Sequence, residues 1–159
     1  MGDVRLWWRM PGETEVMTLL PASDGEAVFH FAPFVNDAAH PHLAFRGRPQ
    51  PTTPPEPGTL TLLPTPEEDF RPTSRVDHLA AIRSSLQAIE QRELEKVVLS
   101  RVDLIPAGQS SPESAFNAKC AEYPDAFVYL LHHPAAGTWT GATPELLLKR
   151  DGDAYETVA

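Results

Sequence analysis

Apolar residues follow two different patterns along this chain, and the change falls near position 72. Before it they come in short runs separated by proline, glycine and polar clusters, which predicts short strands over 4–9, 15–20, 27–31, 43–46 and 59–63. The last of these, Thr59-Leu60-Thr61-Leu62-Leu63, alternates most clearly. Most of the 17 prolines fall at or before position 72, which rules out long helices there. The proline- and threonine-rich stretch 49–58 is expected to be an extended surface loop or linker. Beyond it, Val76, Leu79, Ile82, Leu86 and Ile89 recur at helical spacing. Ser74 is placed to cap that helix, Asp77 to answer it, and the helix to run to about Gln91.

A run of leucines and valines, 94–105, follows directly and predicts a strand buried on both faces. Residues 108–111 form a turn, and Ser110 with Glu113 makes a capping box with Pro112 in the first turn of a second helix. Phe116, Cys120 and Tyr123 stripe the face of that helix expected to be buried. Strands are predicted over 126–131, 138–142 and 145–150, with a turn at 151–153 leading into 154–158. The fold class expected is α+β, antiparallel β-sheets covered by helices. Two regions are expected, a proline-rich β region at 1–73 and a second region at 74–159. The chain stops inside its last predicted strand, so it is expected to be an N-terminal portion whose partner strands lie downstream or in another polypeptide.

Composition narrows the partners more than the fold. With 13 basic and 22 acidic residues the formal charge is −9, which argues against nucleic acid or an anionic membrane. The longest apolar stretches are strand-sized, so no transmembrane helix is expected. No secretory signal is apparent at the N-terminus, and the single cysteine, Cys120, excludes an internal disulfide. A cytoplasmic location follows as an expectation.

Two side chains stand out as candidate chemistry. Lys96 lies in Leu94-Glu95-Lys96-Val97-Val98-Leu99-Ser100-Arg101, an amine in an apolar run. Strand parity places it on one face with Leu94, Val98, Ser100 and Val102. Burial there would favour the neutral amine, and service as a base near neutral pH asks for a depression of about two to three units from about 10.4. Glu145 follows Pro144 in Gly141-Ala142-Thr143-Pro144-Glu145-Leu146-Leu147-Leu148, an apolar setting that keeps a carboxyl protonated and able to donate. Together they have the makings of a general acid/base pair. For Lys96 alone, a snorkelling surface lysine is the plainer alternative.

Other polar and aromatic residues carry less. His132 and His133 adjoin in a strand, point to opposite faces and cannot share a metal ion there. His40 and His42 have metal-like spacing without cysteines or carboxylates beside them and are taken as loop residues. Trp7 and Trp8 are expected to divide into one core and one surface aromatic, and Cys120 to be a small core residue. No phosphate-binding glycine loop, nucleophile elbow or zinc pattern is present.

The runs Lys96-Val97-Val98-Leu99-Ser100-Arg101 and Gly141-Ala142-Thr143-Pro144-Glu145-Leu146-Leu147, in that order, closely resemble the chorismate-utilising enzymes, and within them the isochorismate synthases. The similarity covers roughly 74–159. It includes the helix before the first motif, the Pro-Glu-Ser-Ala-Phe helix start, and the ending Glu-Thr-Val-Ala, which looks like the opening of the family's Glu-Thr-x-Ala-x-Ala-Gly-Thr segment. Residues 1–73 resemble the variable N-terminal part only loosely. What the resemblance implies is an incomplete portion of the anthranilate synthase component I-like fold, with chorismate as substrate.

In that family a lysine at the position of Lys96 marks members that add water, whereas anthranilate and aminodeoxychorismate synthases typically carry glutamine. The resemblance makes Lys96 the base that activates water for attack at C2, and Glu145 the acid that protonates the departing C4 hydroxyl. It implies Mg2+ on the substrate carboxylate, with metal ligands and substrate-gripping residues in a missing C-terminal half and none in this chain. That missing portion is then the expected partner, and the isolated chain is expected to be inactive or nearly so. The product would feed menaquinone or siderophore biosynthesis. Salicylate synthase, which shares both motifs and goes on to eliminate pyruvate, is the nearest alternative. A non-catalytic ligand-binding or assembly domain on the same scaffold is the alternative of a different class.

Overall fold

A computed structural model of the chain describes residues 4–22, 27–33, 42–61, 72–104, 110–144 and 149–156. They fall into two compact units, one built from 1–64 together with 110–159 and the other from 65–109. The first holds strands β1 (Arg5–Arg9), β2 (Val16–Pro21), β3 (Ala27–Phe31) and β4 (Leu43–Thr52). After the second unit's helix α1 (Arg75–Glu90), the first unit resumes with α2 (Pro112–Glu122), β5 (Phe127–His133), β6 (Gly137–Thr143) and a small hairpin of β7 (Lys149–Asp151) and β8 (Ala154–Glu156). The architecture is α+β, with a six-stranded sheet in the order β3-β4-β2-β1-β5-β6 and antiparallel throughout.

Both faces of the middle strands are covered. On one face Trp7, Val16, Val128 and Leu130 pack with Phe116 of α2, which is wholly buried. A phenylalanine so enclosed contributes roughly 2–3 kcal/mol of apolar burial. On the other face Leu6, Trp8 and Leu131 cluster with Phe29, flanked by Phe31, Phe45, Phe127 and Tyr129. Phe29 of β3 lies 6.1 Å from Trp8 and 6.2 Å from both Phe127 and Tyr129, ring centre to ring centre. Phe31 reaches Trp139 of β6 at 5.5 Å. Strands at opposite ends of the order therefore touch through their side chains, so the sheet curls over its own second face. This corrects the expectation for the tryptophans: Trp7 and Trp8 point to opposite faces and both are buried.

β4 runs further than its apolar pattern implies. Leu43–Arg46 pair with β3, and Gly47–Thr52 pair with β2, so the proline-rich stretch expected to be a loop begins as sheet. Pro49 and Pro51 have the same parity and withdraw their missing N–H groups from the same side of the strand. Along this stretch β4 has one neighbour among the described residues, which is the edge setting a strand proline tolerates. Gly47 sits where the strand changes partners, and a side chain there would collide with the Leu20 carbonyl and the Leu19 side chain.

The predicted strand at 59–63 is not formed over its described part, 59–61. Leu60 instead gives its N–H to Glu113 Oε1 at 2.6 Å and packs against the Trp7 cluster. The capping box is corrected with it. Ser111, not Ser110, is the N-cap of α2 and accepts from the Ser114 N–H at 3.1 Å, with Pro112 following at the first helical position. Glu113 is thereby free to turn inward, where its side chain is fully buried. Tyr123, expected on the buried stripe with Phe116 and Cys120, is the C-cap of the helix and is 42% exposed.

In the second unit, Ser74 caps α1 as its sequence predicts. Its Oγ accepts from the Asp77 N–H at 3.1 Å and donates to Asp77 Oδ2 at 2.6 Å. None of the residues of α1 is buried, and Val76 and Leu86 are 76% and 55% exposed. The periodic apolar face exists, but the described residues do not cover it.

Candidate functional site

The segment carrying Lys96 begins where α1 unwinds. Arg92 takes a positive φ of 60°, and the N–H groups of Glu93 and Leu94 both turn back to the Ala88 carbonyl. Residues 96–104 then run without ladder pairing among the described residues. Among the described residues they are anchored at Thr73, whose N–H donates to the Val102 carbonyl at 2.8 Å and whose Oγ1 accepts the Val102 N–H at 2.9 Å. Arg101 pairs with Asp103, two residues on, at 2.6 Å, with both side chains exposed.

The interior strand expected at 94–105 is therefore not present over 94–104. Extended backbone becomes a strand only when another strand takes its N–H and C=O groups, and a local apolar run cannot supply that partner. Every residue from 94 to 104 is exposed, Val98 to 84%. Lys96 is exposed with them, so no described residue shields its amine from water.

The second motif is better held. Gly141, Ala142 and Thr143 form the last part of β6, paired with Tyr129, Val128 and Phe127 of β5. Gly141 has a specific reason to lack a side chain, because a Cβ there would lie 2.6 Å from the Tyr129 ring. The ring lies across the glycine and Thr140 Oγ1 donates to the Tyr129 carbonyl at 3.0 Å, which fixes the strand that leads to the candidate acid. Pro144 follows the strand, and Glu145 lies outside the described residues. The remainder of the predicted strand at 145–150 is seen from Lys149 as β7, and 154–158 as β8 up to Glu156.

The remaining polar candidates have structural partners. His132 Nδ1 is 2.8 Å from Thr138 Oγ1 in a buried position, whereas His133 Nδ1 accepts the Ala135 N–H at 3.1 Å and its ring meets Phe45 edge-on. Burial, and then the neighbouring His132, push the His133 pKa down. Cys120 packs at the margin of the Trp7 cluster, where burial pushes its thiol up, partly offset by Arg9. His40 lies outside the described residues.

Two buried charges have roles that the sequence reading missed, Arg9 altogether and Glu113 because it was taken for a capping-box residue. Arg9, 4% exposed, donates from Nη1 to the carbonyls of Pro124 and Glu13 at 2.6 and 3.0 Å, and from Nη2 to those of Tyr123 and Ala126 at 2.5 and 3.2 Å. It gathers the carbonyl ends after α2 and ties them to β1. Glu113 serves the other end of the helix. Burial raises its pKa, but the N–H groups of Glu113 itself and Leu60, the Ser111 hydroxyl and the Gly58 N–H together hold it below the ordinary value. No sequence signal marks either role, because each partner is distant in the chain or is backbone.

Among the described residues no group of three or more histidine, cysteine, aspartate or glutamate side chains is gathered to hold a metal ion. The described residues thus present no preformed cage for a divalent ion. No helix among them is long and apolar enough to cross a membrane. A cleft of about 700 Å³ opens on β1, β2 and β4, lined by Arg5, Thr18, Leu19, Phe45, Arg46 and Gln50, none of which belongs to either motif.

The two motifs, one on an exposed segment after α1 and one on the last strand of the sheet, fall within a single match to a family model. That model is described as chorismate binding enzyme and covers residues 51–159, reaching further toward the N-terminus than the resemblance over 74–159. Neither the curated proteins nor the solved structures include a match to this chain. The family match spans more than half of the chain and includes α1, Lys96, α2 and β5 to β8, and by it the protein belongs to the chorismate binding enzymes.

Proposed function

We propose that this chain carries part of the catalytic machinery of an isochorismate synthase. The observation supporting this most directly is the identity of residue 96, a lysine followed in order by the Gly-Ala-Thr-Pro-Glu run within the family match. In the resembling enzymes that position separates water as nucleophile from ammonia. Lys96 takes a proton from water as its oxygen attacks C2 of chorismate. Both ring double bonds shift, C1=C2 to C1=C6 and C5=C6 to C4=C5, and the C4 hydroxyl leaves as water with a proton from Glu145. One water enters and one leaves, so the net change is transposition of the hydroxyl.

Mg2+ on the substrate carboxylate belongs to this proposal, with its ligands outside the present residues. So do chorismate as substrate and a cytoplasmic location. Lys96 needs a closed, partly dry surrounding to act as a base near neutral pH, and in the present fold it faces solvent. The 159-residue chain alone is therefore expected not to convert chorismate.

Chromatography of chorismate incubated with the chain and Mg2+ tests that expectation, and formation of isochorismate would refute it. In any form of the protein that turns chorismate over, Lys96→Ala should lower turnover about 10²-fold or more, as loss of a general base does. Near-normal turnover would remove Lys96 from the mechanism. Salicylate with pyruvate as products would reassign the activity to salicylate synthesis.

A further inference from the structure

From the register of β3 and β4, we infer that His30 and His42 form a two-nitrogen site for a divalent transition-metal ion, Cu2+ before Ni2+. Sequence alone separates the two by twelve positions, but β3 and β4 pair with His30 opposite Ala44 and Phe31 opposite Leu43. Continuing that pairing by one residue makes His30 and His42 diagonal neighbours on one face of the ribbon, within reach of long side chains. The face is the outer one: Phe29 and Phe31 turn toward the aromatic cluster, whereas His30, His42 and Ala44 are exposed.

The rings meet there with centres 5.1 Å apart and planes inclined by 34°. His30 Nδ1 and His42 Nε2 are 2.9 Å apart. With the nitrogens 2.9 Å and the ring centres 5.1 Å apart, the rings meet nearly end to end, each nitrogen aimed at the other, so both exposed side chains must turn for their lone pairs to converge on one ion at about 2.0–2.1 Å. Imidazole suits Cu2+, Ni2+ and Zn2+ alike, and Cu2+ stands highest in the general affinity order. The ion would take the place of the shared hydrogen bond. It would link β3 to the chain entering β4 at one edge of the sheet. Nitrogen donors on an exposed ribbon differ in kind from the oxygen ligands Mg2+ requires, so this site stands apart from the proposed reaction.

Titration of the full chain with Cu2+ in a non-coordinating buffer, followed by calorimetry and electron paramagnetic resonance, tests the inference. One ion per chain is expected, with hyperfine structure from two nitrogens and tighter binding than for Ni2+ or Zn2+. His30→Ala and His42→Ala should each weaken it by at least about tenfold while leaving far-ultraviolet dichroism unchanged, and His78→Ala should bind as the parent does. Undiminished binding in both variants, a one-nitrogen spectrum, or an equal loss in His78→Ala would overturn it. Should either alanine variant alter the dichroism, glutamine at the same position supplies the same comparison.

Discussion

Replacing Glu113 by glutamine perturbs one buried charge without changing the size of the side chain. In the folded protein Glu113 Oε1 accepts the Leu60 N–H at 2.6 Å, and the side chain is wholly inaccessible. Its Oε2 makes no hydrogen bond of good geometry, although N–H and O–H groups around it hold the charge. A hydrogen bond to an ionised acceptor is worth about 1.5–3 kcal/mol against about 1 for a neutral one. Glu113→Gln should thus cost about 1–2 kcal/mol near pH 7.

The pH dependence follows from the direction of the shift. The folded carboxyl titrates below its ordinary value of 4.5, so in that range the unfolded chain binds more protons and folding weakens as pH falls. The contribution is complete above the ordinary value and is lost as pH drops through the lowered one. Urea unfolding followed by the fluorescence of buried Trp7 and Trp8 measures both chains at about pH 7 and about pH 3. The difference between them should shrink at the lower pH, as the carboxyl of the unfolded and then of the folded parent takes up its proton. A constant difference, or a glutamine variant as stable as the parent at neutral pH, would falsify the assignment.

Other outcomes are expected from the same packing. Arg9→Met takes the guanidinium from four carbonyl groups, of which those of Pro124 and Tyr123 keep the N–H groups of Gly12 and Ala126, and should cost about 2 kcal/mol or more in urea unfolding. Gly141→Ala drives a methyl group into the Tyr129 ring and should cost about 1–3 kcal/mol, with Tyr129→Ala restoring part of the loss when combined with it. Native Cys120 should react with a disulfide reagent at least about tenfold more slowly than in urea, because burial raises its thiol pKa and limits access. Amide hydrogens over 96–101 should exchange at nearly unprotected rates while those of β5 persist, and comparable protection of the two would contradict the unpaired state of that segment.

What the sequence revealed divides by the range of the interaction. Ser74 with Asp77 could be read as a cap because donor and acceptor lie within one turn, and β3 because its alternation is complete in five residues. The same local rule misplaced the α2 cap by one residue, since Ser110 completes the capping-box spacing with Glu113 and Ser111 does not, and only Pro112 at the first helical position points to Ser111. Trp7 and Trp8 could not be assigned from parity, because whether the second face is covered depends on how far β3 curls toward β6. At the candidate site the residue identities carried the family, whereas burial of Lys96 was inferred from an apolar run whose pairing partner no local pattern reveals. His30 and His42 escaped for a related reason: their meeting depends on strand register across an intervening loop.

The bond between Leu60 and Glu113 has a consequence for how this protein varies in length. It joins positions 53 apart, and Asn117 Nδ2 reinforces it by donating to the Pro55 carbonyl at 3.0 Å, so the chain leaves the sheet unit and re-enters it at one place. Everything between, including α1 and Lys96, is an excursion from a sheet whose own closure depends on β1 meeting β5. The entropic cost of holding such ends together rises only logarithmically, and doubling the excursion would add about 0.6 kcal/mol. The sheet therefore places little restriction on the length of the segment bearing the candidate base, and insertions or deletions there can reshape the chemistry while the anchoring strands keep their register.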